Sequence, residues 1–237
     1  MFFLNVCGLN VQVNNIYEDF KKRSLEYIIE ETKPDIILEA TEEEISKEAV
    51  EDPRFSKGYH EGAVLFRKMC KEILRYNAFF FHSAVVSYKG KGYVFTGKSG
   101  SGKSTHAMLW REVFPDAVII NGDKPLIRRE KDGFYAYGAP WNGKEGLHQN
   151  ESVKIEGVFF IEQSKENSVK KLSPKEVLKK IFSRTNYIRE PESNLLLIEL
   201  LESFVTEVPF YQLLCDISRE AVYTAYKTIN PEDNNEY

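Results

Sequence analysis

The chain has 237 residues, 42% hydrophobic and 29% charged, the profile of a folded globular protein with a core large enough to need no disulfide or metal staple. Its 32 basic and 36 acidic residues leave a net charge of −4, which argues against a nucleic-acid binder, because phosphate neutralisation needs clustered surplus Lys and Arg. No apolar run approaches the ~18 residues of a membrane span, and the start, Met1-Phe2-Phe3-Leu4-Asn5-Val6, has neither the basic n-region nor the cleavage site of a leader. Cys7, Cys70 and Cys215 are widely spaced among apolar neighbours and have no zinc-site spacing, so buried, reduced thiols in a cytoplasmic protein are expected.

Residues 1–13 are apolar and β-rich, a buried strand or a hairpin, and Asn14-Asn15 marks a turn. Residues 16–30 read as helical, and a short strand is predicted over Asp35 to Leu38. The acidic run 41–52 reads as a solvated helix face. Val64, Leu65, Met69, Ile73 and Leu74 keep helical spacing within 59–76, and Asn77 ends that helix. Phe79 to Tyr88 reads as one strand, Lys89-Gly90-Lys91-Gly92 as a tight turn and Tyr93 to Thr96 as a second strand. So short a connection makes the two antiparallel neighbours, since parallel strands need a crossover.

The second strand runs into Gly97-Lys98-Ser99-Gly100-Ser101-Gly102-Lys103-Ser104, a full match to the Walker A pattern, followed by the helix-forming Thr105-His106-Ala107-Met108-Leu109-Trp110. Glycines at these positions let backbone N–H groups wrap a phosphate, and the helix N-terminus adds partial positive charge. The nucleotide-binding set expected is Gly97, Ser99, Gly100, Ser101, Gly102, Lys103, Ser104 and Thr105, with Lys103 reaching the β- and γ-phosphates and Ser104 ligating Mg²⁺. Trp110 is expected in the core. The next apolar run, Ala117 to Ile120, ends in Asn121-Gly122-Asp123-Lys124-Pro125, and an acid at a strand end after such a loop is where a second Mg²⁺ ligand belongs.

His82, the short hairpin, the Gly97–Ser104 loop and the Asp123 strand end together resemble the catalytic domain of bacterial HPr kinase/phosphorylase, which shares a P-loop fold with phosphoenolpyruvate carboxykinases. The stretch Tyr137-Gly138-Ala139-Pro140-Trp141-Asn142-Gly143-Lys144-Glu145-Gly146 resembles small stand-alone members of that class, some associated with ribosomal-peptide modification. The resemblance implies ATP and Mg²⁺ as cofactors, a serine hydroxyl on a peptide or protein as acceptor, and homo-oligomers, since HPr kinases are hexameric. It also implies two adjacent acids at the strand end, one for metal and one for the proton. Here the first is Gly122. That leaves three alternatives: Asp123 does both jobs, His82 takes the proton, or the chain binds nucleotide without turnover.

Among the other candidates, Trp141 either packs on substrate or pins its loop, while Lys144 and Glu145 suit a phosphate contact or a substrate lid. His82, among aromatic residues, reads equally as a core histidine. His60, His106 and His148 lack metal spacing and are assigned to structure or solvent. Gly157 to Ile161 is a strand, Pro174 to Phe182 a helix capped by Ser173, and Glu192 to Phe204 a helix. Arg184 and Arg189 bracket the loop between these helices, where an arginine serves either a transferred phosphoryl group or a surface ion pair. A last strand covers Phe210 to Leu214 and a last helix 218–229.

The expectation is an α/β protein with a mixed β-sheet and a P-loop, HPr kinase/phosphoenolpyruvate carboxykinase-like. Residues 1–77 form an N-terminal α/β segment packed on the core, 78–230 the P-loop core and 231–237 a frayed tail. Asp123, His82 and Lys103 are the catalytic candidates, Ser104 and Asp123 the metal ligands. No membrane or nucleic-acid partner is expected. The rival readings are a small-molecule kinase or NTP hydrolase on the same frame, and a non-catalytic nucleotide-binding regulator.

Overall fold

The computed structural model describes residues 1–143, 145–186 and 190–233. The first 14 residues form a hairpin, β1 (Phe2–Val6) and β2 (Leu9–Asn14), turned at Cys7-Gly8. Alternate residues of β2 are buried, as a strand with one face on a core requires. Helix α1 (Asp19–Arg23) is only one turn long, and a 3₁₀ turn follows over Leu25–Tyr27. The helix predicted over 16–30 is therefore cut short. The β-branched pair Ile28-Ile29 instead forms β3 (Ile28–Ile29) on the open edge of β1, a tertiary pairing that overrides local helix preference. With β4 (Ile36–Glu39) running parallel to β2, these strands make a four-stranded sheet in the order β3-β1-β2-β4.

Two helices cover this sheet. In α2 (Glu42–Glu51), Thr41 and Glu44 form a reciprocal capping box, so the acidic run is a solvated helix. The strongly amphipathic α3 (Lys57–Glu72) buries Val64, Leu65 and Met69 against Leu4, Val11 and Leu38 of the sheet. Asn77 then adopts the left-handed conformation that stops the helical run.

The predicted strand Phe79–Tyr88 is two strands. β5 (Ala78–Phe80) pairs with β9 (Leu126–Glu130), whereas β6 (Ser83–Tyr88) pairs with β7 (Lys91–Thr96) and β8 (Val118–Asn121). The break falls at Phe81-His82, which bond to the segment at 184–185. β6 and β7 are antiparallel, in register from Ser83 opposite Thr96 to Tyr88 opposite Lys91, as the short turn predicts. Helix α4 (Lys103–Val113) follows the loop after β7 and leads to β8. β9 and β10 (Gly133–Tyr137) form a hairpin that the sequence reading assigns to no element. The 12-residue β11 (Ser152–Gln163) runs parallel to β7 on one edge. Its other edge is shared by β10 at the start and the parallel β13 (Phe210–Cys215) at the end. β12 (Ser168–Lys171), also unpredicted and nearly all exposed, pairs with β13.

The result is a mixed α/β fold with a nine-stranded mixed sheet. One face is covered by α4 and α7 (Arg219–Ile229), where Trp110 packs with Phe95, Tyr93 and Tyr226 and is fully buried, as predicted. The other face is covered by α5 (Pro174–Ile181) and α6 (Pro191–Glu207) through Ile181, Leu201 and Phe204. All three cysteines are buried free thiols, and burial pushes Cys7 and Cys70 up to about 12 and Cys215 to about 11. In the predicted frayed tail, Pro231–Asp233 forms a 3₁₀ turn, and residues 234–237 lie outside the described residues. Among the described residues no helix is long and apolar enough to cross a membrane.

Candidate active site

The Gly97–Ser104 loop joins the end of β7 to the start of α4, the strand–loop–helix order its sequence requires. Gly100 and Gly102 have φ of +78° and +95° with open space about each, a backbone course that a side chain would strain. Gln163 Nε2 braces the loop by donating to Gly100 O (3.1 Å), and Ser101 N–H donates to Lys98 O (3.1 Å). Ser99 and Thr105 are exposed and Ser104 is half-buried on the first turn of α4. Lys103 is only 7% exposed, and its Nζ donates to Lys98 O (3.3 Å). Burial lowers its pKa first of all. The Asp123 charge opposes that shift and the Arg184 charge adds to it, so both charges are felt at Lys103.

Asp123 sits at the corner after β8. Asn121 holds that corner, its Oδ1 accepting from the backbone N–H of Asp123 (2.9 Å) and Lys124 (2.8 Å), and Ser83 N–H donates to Asp123 O (3.1 Å). His82 Nε2 lies 3.3 Å from Asp123 Oδ1, and Lys124 Nζ lies 3.1 Å from Oδ2. The hydrogen bond from His82 brings the Asp123 carboxyl down to about 2, against the opposing effect of burial and with further help from Lys124. Asp123 is therefore an anion at neutral pH. His82 is not a core histidine, because 38% of its side chain is exposed and its ring is spent on Asp123.

The gap left by Gly122 has a structural counterpart. Leu147 crosses it: Gly122 N–H donates to Leu147 O (2.9 Å), and a Cβ at residue 122 would lie 3.2 Å from Leu147 Cβ. A second acid has no room there without moving the strap around Leu147.

Arg184 is brought to the site through the backbone, since its carbonyl accepts from His82 N–H (2.7 Å). It lines a cavity of about 550 Å³ together with Lys98, Ser99, Lys179, Lys180 and Gln212. Four cations against one carboxylate, Glu162, leave an excess of positive charge beside the glycine-rich loop, which suits an anion. Arg184 Nε is buried with no hydrogen-bond partner among the described residues, a donor that a phosphate oxygen would satisfy. Lys179, Lys180 and Gln212 were not foreseen. Lys179-Lys180 at the end of α5 looks in sequence like an ordinary solvated helix end, and nothing local links it to a loop some 80 positions earlier.

Asp123 also borders a separate cleft of about 730 Å³ between Lys124, Gly143 and His148 on one wall and Arg23, Phe55 and Tyr59 on the other. Of the two roles open to Trp141, the structure fills the pinning one, as its ring is 8% exposed. Its Nε1 donates to Gly62 O (3.2 Å), and it stacks on Phe20 at 5.0 Å. Glu145 is exposed on the same loop, and Lys144 and Arg189 lie outside the described residues. His148 stacks on Tyr27 and His106 bonds to Trp110, and among the described residues no group of three or more His, Cys, Asp and Glu side chains could hold a metal. A Mg²⁺ ion, which keeps several waters, needs no such group. An ionised Asp123 and the Ser104 hydroxyl fit its preference for few, hard oxygen ligands.

No family model matches the chain, and no curated protein is similar to it in sequence. Among solved structures, the Hpr(Ser) kinase/phosphatase from Coxiella burnetii is similar at 10% identity and a TM-score of 0.36, over 67% of this chain and 99% of that one. A likeness at that TM-score carries no inference about activity, and the chain's own residues must carry it.

Proposed function

We propose that the chain is an ATP- and Mg²⁺-dependent phosphotransferase of the HPr-kinase-like class, acting on a serine hydroxyl of a peptide or protein. The observation behind this is an ionised, histidine-paired Asp123 whose charge, like that of Arg184, is felt by Lys103 in the Gly97–Ser104 loop. Phosphoryl transfer asks a protein mainly for positioning and charge neutralisation. The loop N–H groups and Lys103 hold the phosphates, and Arg184 neutralises charge on the transferred group. Bound Mg²⁺, held by Ser104 and Asp123, would neutralise charge between the β- and γ-phosphates. The acceptor enters by the cleft beyond Asp123, and its proton passes to the Asp123–His82 pair.

Incubating the chain with labelled ATP and a panel of serine peptides tests this. Transfer to peptide that disappears in Lys103→Ala is the expected result. Phosphate release without transfer would make the chain a hydrolase. Binding without turnover would favour a nucleotide-binding regulator, the alternative that the blocked position at Gly122 supports.

A further inference from the structure

Beyond Ser101 the loop borders another cavity, of about 280 Å³, close to the ~300 Å³ lower end of small-ligand sites. Three parallel strands, β7, β11 and β13, stand side by side there, and the last residues of β11 and β13 line it. Crevices outside the carboxyl ends of parallel strands are where open α/β sheets take ligands. Asp123 lies on the opposite flank of β7, past β6 at the end of β8. A nucleotide with its phosphates on the loop and its terminal phosphate toward Asp123 therefore directs its nucleoside toward β11 and β13.

We propose that this cavity is the nucleobase subsite and that it takes a purine presenting a ring-nitrogen acceptor beside an amino donor, as adenine does. The proposal rests on the nucleotide-dependent reading above. Two side chains carry the chemistry. His106, 3% exposed, lines the cavity from α4, and the Trp110 indole N–H donates to its Nε2 (3.1 Å). Nε2 is thus the unprotonated nitrogen, and the ring proton sits on Nδ1. Nδ1 has no hydrogen-bond partner among the described residues. A buried donor left unmet is unfavourable, and a ring nitrogen of the base would meet it. Burial lowers the His106 pKa to about 4, so the ring keeps this neutral form at neutral pH.

Asp216, after β13, supplies the acceptor. Its Oδ1 takes the Ser218 hydroxyl (2.5 Å), the Ser218 N–H (2.9 Å) and Asn167 Nδ2 (3.1 Å), bonds that lower its pKa and keep it ionised, and Oδ2 is uncommitted among the described residues. Leu109, Ile161 and Ile217 provide apolar surface for the faces of a base. Ile217 is 77% exposed, an aliphatic side chain left in solvent at the cavity.

Calorimetric titration of the full chain with Mg²⁺-ATP, Mg²⁺-GTP and Mg²⁺-tripolyphosphate tests the subsite. ATP is expected to bind roughly tenfold more tightly than tripolyphosphate and more tightly than GTP, whose C6 oxygen meets Asp216 with an acceptor. Ile217→Asp, at an exposed position that leaves the fold intact, should remove most of the ATP margin and leave tripolyphosphate affinity unchanged. His106→Phe should narrow the same margin. Equal affinity for ATP and tripolyphosphate in the unmodified chain, or a margin that survives Ile217→Asp, overturns the subsite while the phosphate loop stands. Failure to bind any of the three ligands overturns the nucleotide reading together with it.

Discussion

The two ends of the candidate site are built in opposite ways. The glycine-rich end is one contiguous stretch, Gly97–Ser104, whose course follows from its own glycines and from the strand and helix on either side. The Asp123 end is assembled from distant segments: His82 at a strand break, Asp123 at a strand end, Leu147 across Gly122, and Arg184 held by the backbone of His82. The loop takes most of its geometry from its own residues, whereas the lowered pKa of Asp123 depends first on a partner 41 positions away. Substitutions at the first end should therefore act on ligand affinity with little effect on neighbours, and those at the second should propagate.

The largest effect is expected at Lys103. Lys103→Ala removes the cation inside the loop and should lower turnover by about 10²–10³-fold and abolish measurable ATP binding, with thermal unfolding almost unchanged. Unchanged ATP affinity would overturn the phosphate-binding role proposed for the glycine-rich end. Asp123→Asn comes next, with a loss of about 10²–10⁴-fold in turnover and a weaker Mg²⁺-dependent affinity for ATP, read by titration with and without the metal. His82→Ala should reduce turnover by about 10²-fold with ATP affinity nearly intact. Equal loss of stability and activity would return His82 to a structural role.

The acid limb sharpens the same contrast. Asp123 is depressed in the folded chain from 3.8 to about 2, so its contribution to stability is present above pH 3.8 and is lost as the pH falls from there through about 2. That contribution is on the order of 2 kcal/mol. Acid unfolding of Asp123→Asn should accordingly lack this component, and loss of activity between pH 5 and 7 must come from a group other than the Asp123 carboxyl. The smallest effect is expected at Trp141→Phe, which removes the hydrogen bond to Gly62 O at a cost of about 1 kcal/mol in stability and leaves ATP affinity unchanged, as a pinning side chain requires.

By itself the sequence determined whatever depends on neighbours in the chain. The loop and its flanking strand and helix, the antiparallel β6–β7 hairpin and the solvated helix α2 were legible because glycine spacing, a short turn and a run of acidic residues act within a few positions of the chain. Tertiary structure decided the rest. It split the strand at Phe81-His82, because β5 and β6 satisfy their backbone groups against different partners, and it drew Ile28-Ile29 out of a helix onto the edge of β1. It gathered Lys180, Gln212 and Arg184 around the loop and set the Asp123 carboxyl beside His82. It also turned Trp141 inward, where the aromatic side chains of Phe20, Phe66 and Phe80 offered more burial than an open loop could. Those outcomes depend on contacts between residues tens to more than a hundred positions apart, which no local pattern of residue types encodes.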